Sequence, residues 1–500
     1  MSAENASARS DSGSTRSRLS AWLRMSYESY FGILLVGSGA RVFGLASQLV
    51  VLIILGRMLG KGEFGDLMAA FGFYRLVAIA IGTGASLVVL FHVSRRPRDK
   101  ELEVRLHRFS ALLTAAISIA IALIGALSAP LIARALGKPG LEVWFVHLAP
   151  LAVFNSLLLI ATGALEGRSR ITHSIVLGEV APNAVRIVLL PLVALAGLPD
   201  IYIAHVLTLS VLLPWLCAAP RLFDRSIGGV SAWTQWDYGY SGKFVIATLF
   251  ANQLAAVDIL VMSVLFSSET VGDYAIASRI AALFSFFQIA MLKRFAPRAG
   301  EILAKGDVAA LRSEAEACRR ITIGCGALTI AGILIVAPYI IPLFGNFTGA
   351  LGFLILLAIP AFVSSFYATS DRLLIIAGHA NVALTLTASS FAVLTITPFM
   401  TAPWLGPIAV PTAMIASAIL FNPIVAVRVR RLFGIHTLEL RDLVLMTCGS
   451  VMLGISAING SRLWAVGACV VLGLIGLIML ATAIRQSSPA LRGEDAARPA

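Results

Sequence analysis

Charge is scarce in this sequence: Asp, Glu, Lys and Arg supply only 13% of the residues, about half the share of an ordinary soluble domain, while 58% are hydrophobic. A water-soluble globular fold is thereby excluded. Cysteine is scarce as well. Cys217, Cys318, Cys325, Cys448 and Cys469 fall in or beside apolar segments without CxxC or Cys/His spacing, which argues against a metal centre or a disulfide framework. The seven histidines are scattered, and no Ser/His/Asp set can be assigned. The Gly-x-Gly pairs at Gly37 and Gly82 lie inside apolar runs, without the strand–turn–helix setting of a phosphate loop. Loops are too short for a soluble catalytic or nucleotide-binding domain. No enzymatic activity and no cofactor are expected, and any transport would be driven by a gradient or by substrate supply.

What the chain has in abundance is apolar runs of membrane-spanning length. Runs of about 20 residues bounded by Gly, Pro or charge occupy 31-56, 66-93, 108-133, 142-166, 171-197 and 200-219, then 240-266, 272-295, 318-343, 350-376, 381-402 and 406-427. A last pair covers 441-459 and 462-484. The expectation is an all-α polytopic membrane protein of about 14 helices. It divides into a disordered cytoplasmic tail (1-25), an N-lobe of helices 1–6 (26-225), a C-lobe of helices 7–12 (226-430), an extra helix pair (431-485) and a second cytoplasmic tail (486-500).

The charges orient it. With the amino terminus inside, 28 basic residues fall in cytoplasmic segments and 5 in outer loops (Arg57, Lys61, Arg134, Lys138 and Arg462), as the positive-inside rule requires. Both termini are then cytoplasmic. The net charge of +13 is explained by these loops, whose expected partners are anionic membrane lipids, and nucleic acid is not expected. Between helices 8 and 9, residues 301-320 alternate apolar and charged residues at helical spacing, which predicts an interfacial amphipathic helix.

The first hairpin is repeated. Its turn, Leu59-Gly-Lys-Gly-Glu-Phe-Gly-Asp66, is echoed by Phe266-Ser-Ser-Glu-Thr-Val-Gly-Asp273. Six helices per repeat make the repeat parallel, and two lobes related in this way form a transporter architecture with the substrate path between them. Topology alone leaves a channel or a membrane enzyme open.

Buried charges mark the candidate site, because each costs at least about 2.5 to 3.5 kcal/mol at mid-bilayer unless it meets a partner or a wet cavity. Arg41 in helix 1 and Arg75 in helix 2 each lie about 15 Å from a helix end, at the same depth. An anion between them would satisfy both. Each would equally be satisfied by a helix carbonyl or a carboxylate elsewhere. Helix 5 carries Glu179 and Arg186 about two turns apart on one face, with Pro182 between them, as a salt-bridging stripe or a cavity wall. Asp258 and Arg279 are placed to pair across the second hairpin, as a structural ion pair or as a coupling site. Lys243, Asp371 and Arg372 fall near cytoplasmic helix ends and are candidates for a gate. Gly82-Thr-Gly-Ala-Ser86 offers the small residues that let helices approach closely.

Leu55-Gly-Arg-Met-Leu-Gly-Lys-Gly-Glu-Phe-Gly-Asp66 contains an Arg-x-Leu-Gly-x-x-x-Phe-Gly form, and Phe295-Ala-Pro297 precedes Gly306-Asp307. Over about residues 30 to 430 this resembles the polysaccharide transporters of the O-antigen flippase type, within the multidrug/oligosaccharidyl-lipid/polysaccharide exporter superfamily. The resemblance implies a bacterial inner-membrane protein that flips an undecaprenyl-pyrophosphate-linked oligosaccharide by alternating access for O-antigen, capsule or exopolysaccharide synthesis. Arg41, Arg75, Arg186 and Arg279 would then bind the pyrophosphate. A polysaccharide polymerase and glycosyltransferases join the lipid-linked oligosaccharide as expected partners. Three alternatives stay open: a lipid II flippase, similar in helix number and cationic cavity; a cation-coupled multidrug exporter; and a scaffold or membrane enzyme of polysaccharide assembly. Multidrug exporters typically use membrane carboxylates, whereas helix 1 offers Arg41 and no acid. The last alternative lacks a catalytic loop.

Overall fold

The structure, a computed structural model, describes residues 30–95, 100–168, 170–222, 257–376, 379–435, 438–459 and 462–495. Among these residues the chain is helical throughout, with no strand. That is the expected response to lipid, where each backbone N–H and C=O needs a partner within its own segment. Among the described residues ten stretches are long and apolar enough to cross a membrane, and the protein is an all-α polytopic membrane protein.

The segment Tyr30–Ala78 is broken at Gly60 (φ 70°, ψ −179°), giving α1 (30–59) and the start of α2. Helix α2 then passes through a π-helical turn at Ile79–Thr83 into Gly84–Arg95. Next come α3 (Lys100–Leu136), α4 (Pro139–Gly167) and α5, which runs Ile171–Ile175, a π turn at Val176–Val180, then Ala181–Leu195. α6 is Ile201–Leu222 and α7 is described over Val257–Leu265. α8 runs Ser268–Ala281, a tighter 3-10 turn at Ala282–Ser285, then Phe286–Ala304. α9 (Val308–Phe344), α10 (Ala350–Ile376), α11 (Ala380–Leu405), α12 (Ala409–Phe433), α13 (Leu440–Asn459) and α14 (Arg462–Asp495) complete the chain.

Two local features depart from expectation. The expected turn from Leu59 to Asp66 is nearly all helix, because Gly60 alone reverses the chain in a left-handed conformation that other residues adopt at a cost. Residues 301-320 form no separate amphipathic helix. α8 runs on to Ala304, Gly306 (φ 71°) makes the turn, and the Asp307 carboxylate accepts from Ala310 N at 2.9 Å to start α9.

The described residues fall into two compact units, one within Met1–Val51, Ala78–Ala122 and Pro150–Val245, the other within Leu52–Val77, Leu123–Ala149 and Ile246–Ala500. In the first, Val88 and Val89 of α2, Leu106 and Phe109 of α3, and Ile160 and Ala164 of α4 share one core. The expected close approach occurs there: a Cβ on Gly82 would lie 2.8 Å from Ser156 Cα, and Gly163 backs onto Ser86. In the second, Phe295 of α8, Leu311 of α9, Leu374 of α10 and Val429 of α12 form a core. α14 packs on α9 and α13 on α10. Gly324 and Gly476 meet back to back, and Arg319 pairs with Asp442 with both side chains almost fully buried.

Candidate functional site

Arg41 lies in α1, where the backbone is described but not its side chain, and Lys243 lies outside the described residues. Arg75 is half-buried and engaged with partners, four residues before the π turn of α2. Asp371 and Arg372 are exposed near the end of α10. Glu179 is exposed and sits in the π turn of α5. Arg186, farther along α5, donates to Ser210 Oγ at 2.9 Å and to Asn183 Oδ1 at 3.3 Å. Glu179 and Arg186 are thus linked through Asn183, whose Nδ2 donates to the Glu179 carbonyl at 3.0 Å.

Asp258 and Arg279 are brought to one place, but no direct ion pair joins them. The Asp258 carboxylate, with no exposed surface, accepts from Tyr274 Oη at 2.9 Å, from Ser278 Oγ at 3.1 Å and from Ile259 N at 2.8 Å. Tyr274 and Ser278 are four apart on α8, so one helical face presents both donors to α7. Arg279 acts on the carboxylate as a nearby positive charge. Its Nη2 is buried and finds no hydrogen-bond partner among the described residues.

A second constellation occupies the hairpin tips, all of it inside the second unit. Asp66, at the start of α2, accepts from Ser268 Oγ and lies against Gly140 at the beginning of α4, where a Cβ would come within 2.7 Å of Oδ2. Asp273, its counterpart on α8, pairs with Lys61 Nζ at 2.6 Å and lies against Gly349 at the beginning of α10, whose backbone donates to it. Each aspartate therefore sits at a helix N-terminus, where backbone N–H groups and the helix dipole favour an anion. The backbones interlock through glycine: a Cβ on Gly65 would overlap the Ser268 carbonyl, and one on Gly272 would lie 2.5 Å from the Lys61 carbonyl.

Side chains reach across the same clasp. Lys138 Nζ donates to the Ser263 carbonyl at 2.6 Å and Arg57 Nε to the Leu343 carbonyl at 2.7 Å. Phe64 meets Phe347 edge-on at 5.4 Å. Burial pushes the Lys138 ammonium below its ordinary pKa, and the Asp66 carboxylate pulls it part of the way back. Among the described residues no group of three His, Cys, Asp or Glu is placed to hold a metal.

No family model and no characterised relative matches the sequence. Solved structures do. The lipid II flippase MurJ in an inward closed conformation aligns with a TM-score of 0.70 at 15% identity, over 90% of this chain and 98% of its own. An inward-facing multidrug resistance MATE family transporter of the MOP superfamily aligns with a TM-score of 0.66 at 17% identity, over 77% of this chain and 95% of its own. The chain shares the fold of these structures. A MOP transporter from Pyrococcus furiosus, for which a binding pocket of reverse polarity is described, aligns at 0.59 and 16% identity over 80% of this chain and 96% of its own. At such identities the likeness is to the MOP fold at large and does not single out the O-antigen branch. The structures sharing it are transporters, not enzymes.

Asp66, Asp273, Lys61, Lys138 and Ser268 were not among the candidate residues of the sequence. The available signal was the repeated Gly-Asp itself: one acidic residue kept at the same place in both turns marks a shared task. Asn183 carried a weaker one, a polar residue at i+4 from Glu179 and i−3 from Arg186 on an otherwise apolar helix.

Proposed function

We propose that this chain is an alternating-access flippase for a pyrophosphate-linked lipid glycan, of the lipid II kind in preference to the O-antigen kind. The observation that carries this reading is the extent of the likeness to the lipid II flippase. It takes in 90% of this chain, a larger share than precedes Leu440, whereas the MATE transporter aligns with 77%. The likeness to the lipid II flippase therefore reaches at least part of 440–495, and it extends over more of this chain than the likeness to the MATE transporter.

In this reading the lobes 26–225 and 226–430 rock about a path between them, and 431–485 travels with the second. The protein sits in a bacterial inner membrane with both termini in the cytoplasm, so the clasp at Asp66 and Asp273 closes the periplasmic end. Arg41, Arg75, Arg186 and Arg279 receive the pyrophosphate through charge-assisted hydrogen bonds, which are roughly twice as strong as neutral ones. Glu179 and Asp258 hold the surrounding helices, and Lys243, Asp371 and Arg372 flank the cytoplasmic entrance. The lipid tail remains in the bilayer while the sugars cross in water. Assembly enzymes for the glycan supply the substrate on one face and consume it on the other.

The test is leaflet-resolved detection of undecaprenyl-pyrophosphate glycans in cells with and without the protein, with chemical identification of what accumulates. Lipid II gathering on the cytoplasmic face on depletion is the expected result. A different repeat unit gathering there would move the substrate to the O-antigen kind. Unchanged sidedness of every lipid-linked glycan would overturn the flippase reading. Arg41→Ala and Arg75→Ala should each abolish transport while the protein stays in the membrane.

A further inference from the structure

Helix α5 is irregular where its polar residues sit. The π turn at Val176–Val180 is followed at once by Pro182, which has no N–H to donate. The carbonyl four residues before it, that of Gly178, therefore loses its usual donor. The Asn183 amide ties the turn to a second helix: its Nδ2 donates to the Glu179 carbonyl at 3.0 Å and to the Gly44 carbonyl of α1 at 3.3 Å. The other end of the same amide, Oδ1, accepts from Arg186 Nη1 at 3.3 Å.

Arg186 is held on a second edge too. Its Nε donates to Ser210 Oγ of α6 at 2.9 Å, and that hydroxyl gives its own proton to the Leu207 carbonyl at 2.6 Å. Ser210 thus presents a lone pair to the guanidinium. A free arginine side chain carries about 2 kcal/mol of rotamer entropy, and two bonds from two helices remove much of that freedom in advance. Gly44 lies three residues beyond Arg41, less than one helical turn, so Asn183 also ties α5 to α1 close in sequence to another of the candidate arginines.

We propose that Asn183 is a positioning residue that sets the guanidinium plane of Arg186 toward an anionic group and links that setting to α1 next to Arg41. The inference rests on the proposed function, in which these arginines receive a pyrophosphate. An amide suits this place because it serves carbonyls and a guanidinium at once and adds no charge to compete with the substrate. Asparagine does both in one side chain.

The experiment measures binding of undecaprenyl pyrophosphate to the purified full-length protein in lipid nanodiscs, with thermal unfolding followed alongside. Asn183→Ala removes both functions and should weaken binding about tenfold. Asn183→Asp keeps the shape and the acceptor for Arg186 but adds a negative charge that pairs with the guanidinium. It should bind at least about tenfold more weakly than Asn183→Ala. Both variants lose the Nδ2 donor, so a residue that only satisfied the π turn would lower thermal stability in both; an Asp variant binding as well as or better than the Ala variant overturns the assignment. Ser210→Ala, which leaves α5 and α1 untouched, should lower affinity by a few-fold, and wild-type affinity in that variant overturns the positioning account even where the Asn183 variants fail to fold. If the wild-type protein itself binds no pyrophosphate lipid, the proposed function fails and takes this inference with it. Tight wild-type binding with the wrong order of variants leaves the function standing and removes the inference alone.

Discussion

At the first hairpin tip the aspartate that follows the glycine, Asp66, meets a hydroxyl, Ser268; at the second its counterpart, Asp273, meets an ammonium, Lys61. The backbones around them are alike: each glycine lies under the carbonyl of the opposite tip, and each aspartate sits at the start of a further helix. The turns differ. The first reverses at a single left-handed glycine, Gly60, and the second at Ser267, which is extended and receives Thr270 N. A duplicated hairpin has kept its packing surface, where any added atom collides, and has diverged in charge, where water and neighbours tolerate a change. One half of the clasp is an ion pair and the other a hydroxyl–carboxylate hydrogen bond.

That comparison is most easily broken at the glycines. Gly65→Ala should give the largest effect, because the added carbon overlaps the Ser268 carbonyl and forces the tips apart. We expect loss of transport and a fall in stability of about 3 kcal/mol or more, read by thermal unfolding and by the lipid-sidedness assay. Gly272→Ala should cost less, about 1 to 3 kcal/mol, since the Lys61 carbonyl it meets is somewhat farther away. Equal effects at the two glycines would mean that the tips pack identically after all.

The charges sharpen the difference. Asp273→Asn should weaken the clasp by about 1.5 to 3 kcal/mol, because it removes a charge-assisted bond, whereas Asp66→Asn should cost nearer 1 kcal/mol, the Ser268 hydroxyl still finding an amide oxygen. Labelling of a cysteine placed beside each tip reads this as faster modification in the Asp273 variant. Gly60→Ala tests the turn itself. Nothing lies within 4 Å of the added carbon, so the penalty comes from the backbone conformation alone (φ 70°, ψ −179°), which is essentially glycine's own, and is about 1 to 3 kcal/mol. The equivalent change at Ser267 loses a cap and no conformational freedom, so the pair separates turn strain from capping.

Much of the fold was legible in the sequence because lipid leaves few choices: an apolar run of about 20 residues becomes a helix, and Gly82 to Ser86 announced a close helix crossing that exists. The Gly60 break was hidden, since a one-residue reversal looks the same in sequence as the eight-residue turn around it. The Gly306-Asp307 pair divided 301-320 into the ends of two helices, although the helical spacing of its charges was read correctly. In the candidate site, Asp258 and Arg279 were found as charges in an apolar hairpin, but the groups that hold the carboxylate are neutral. Tyr274 and Ser278 do not stand out in composition and reveal themselves only by their four-residue spacing toward α7. The clasp needed residues from four separate stretches, around 61, 138, 268 and 349, and no local pattern joins those.

The buried pair of Arg319 and Asp442 also has a meaning in time. The two residues are separated by 123 positions, and at about 5 to 20 residues per second the ribosome needs roughly 6 to 25 s to pass from one to the other. Throughout that interval α9 carries an arginine whose counter-ion has not been made. Helix α13 then arrives with Asp442 and neutralises it. A chain ending before Leu440 is expected to be inserted and then degraded, and Arg319→Met in that shortened chain is expected to prolong its lifetime in a pulse-chase experiment.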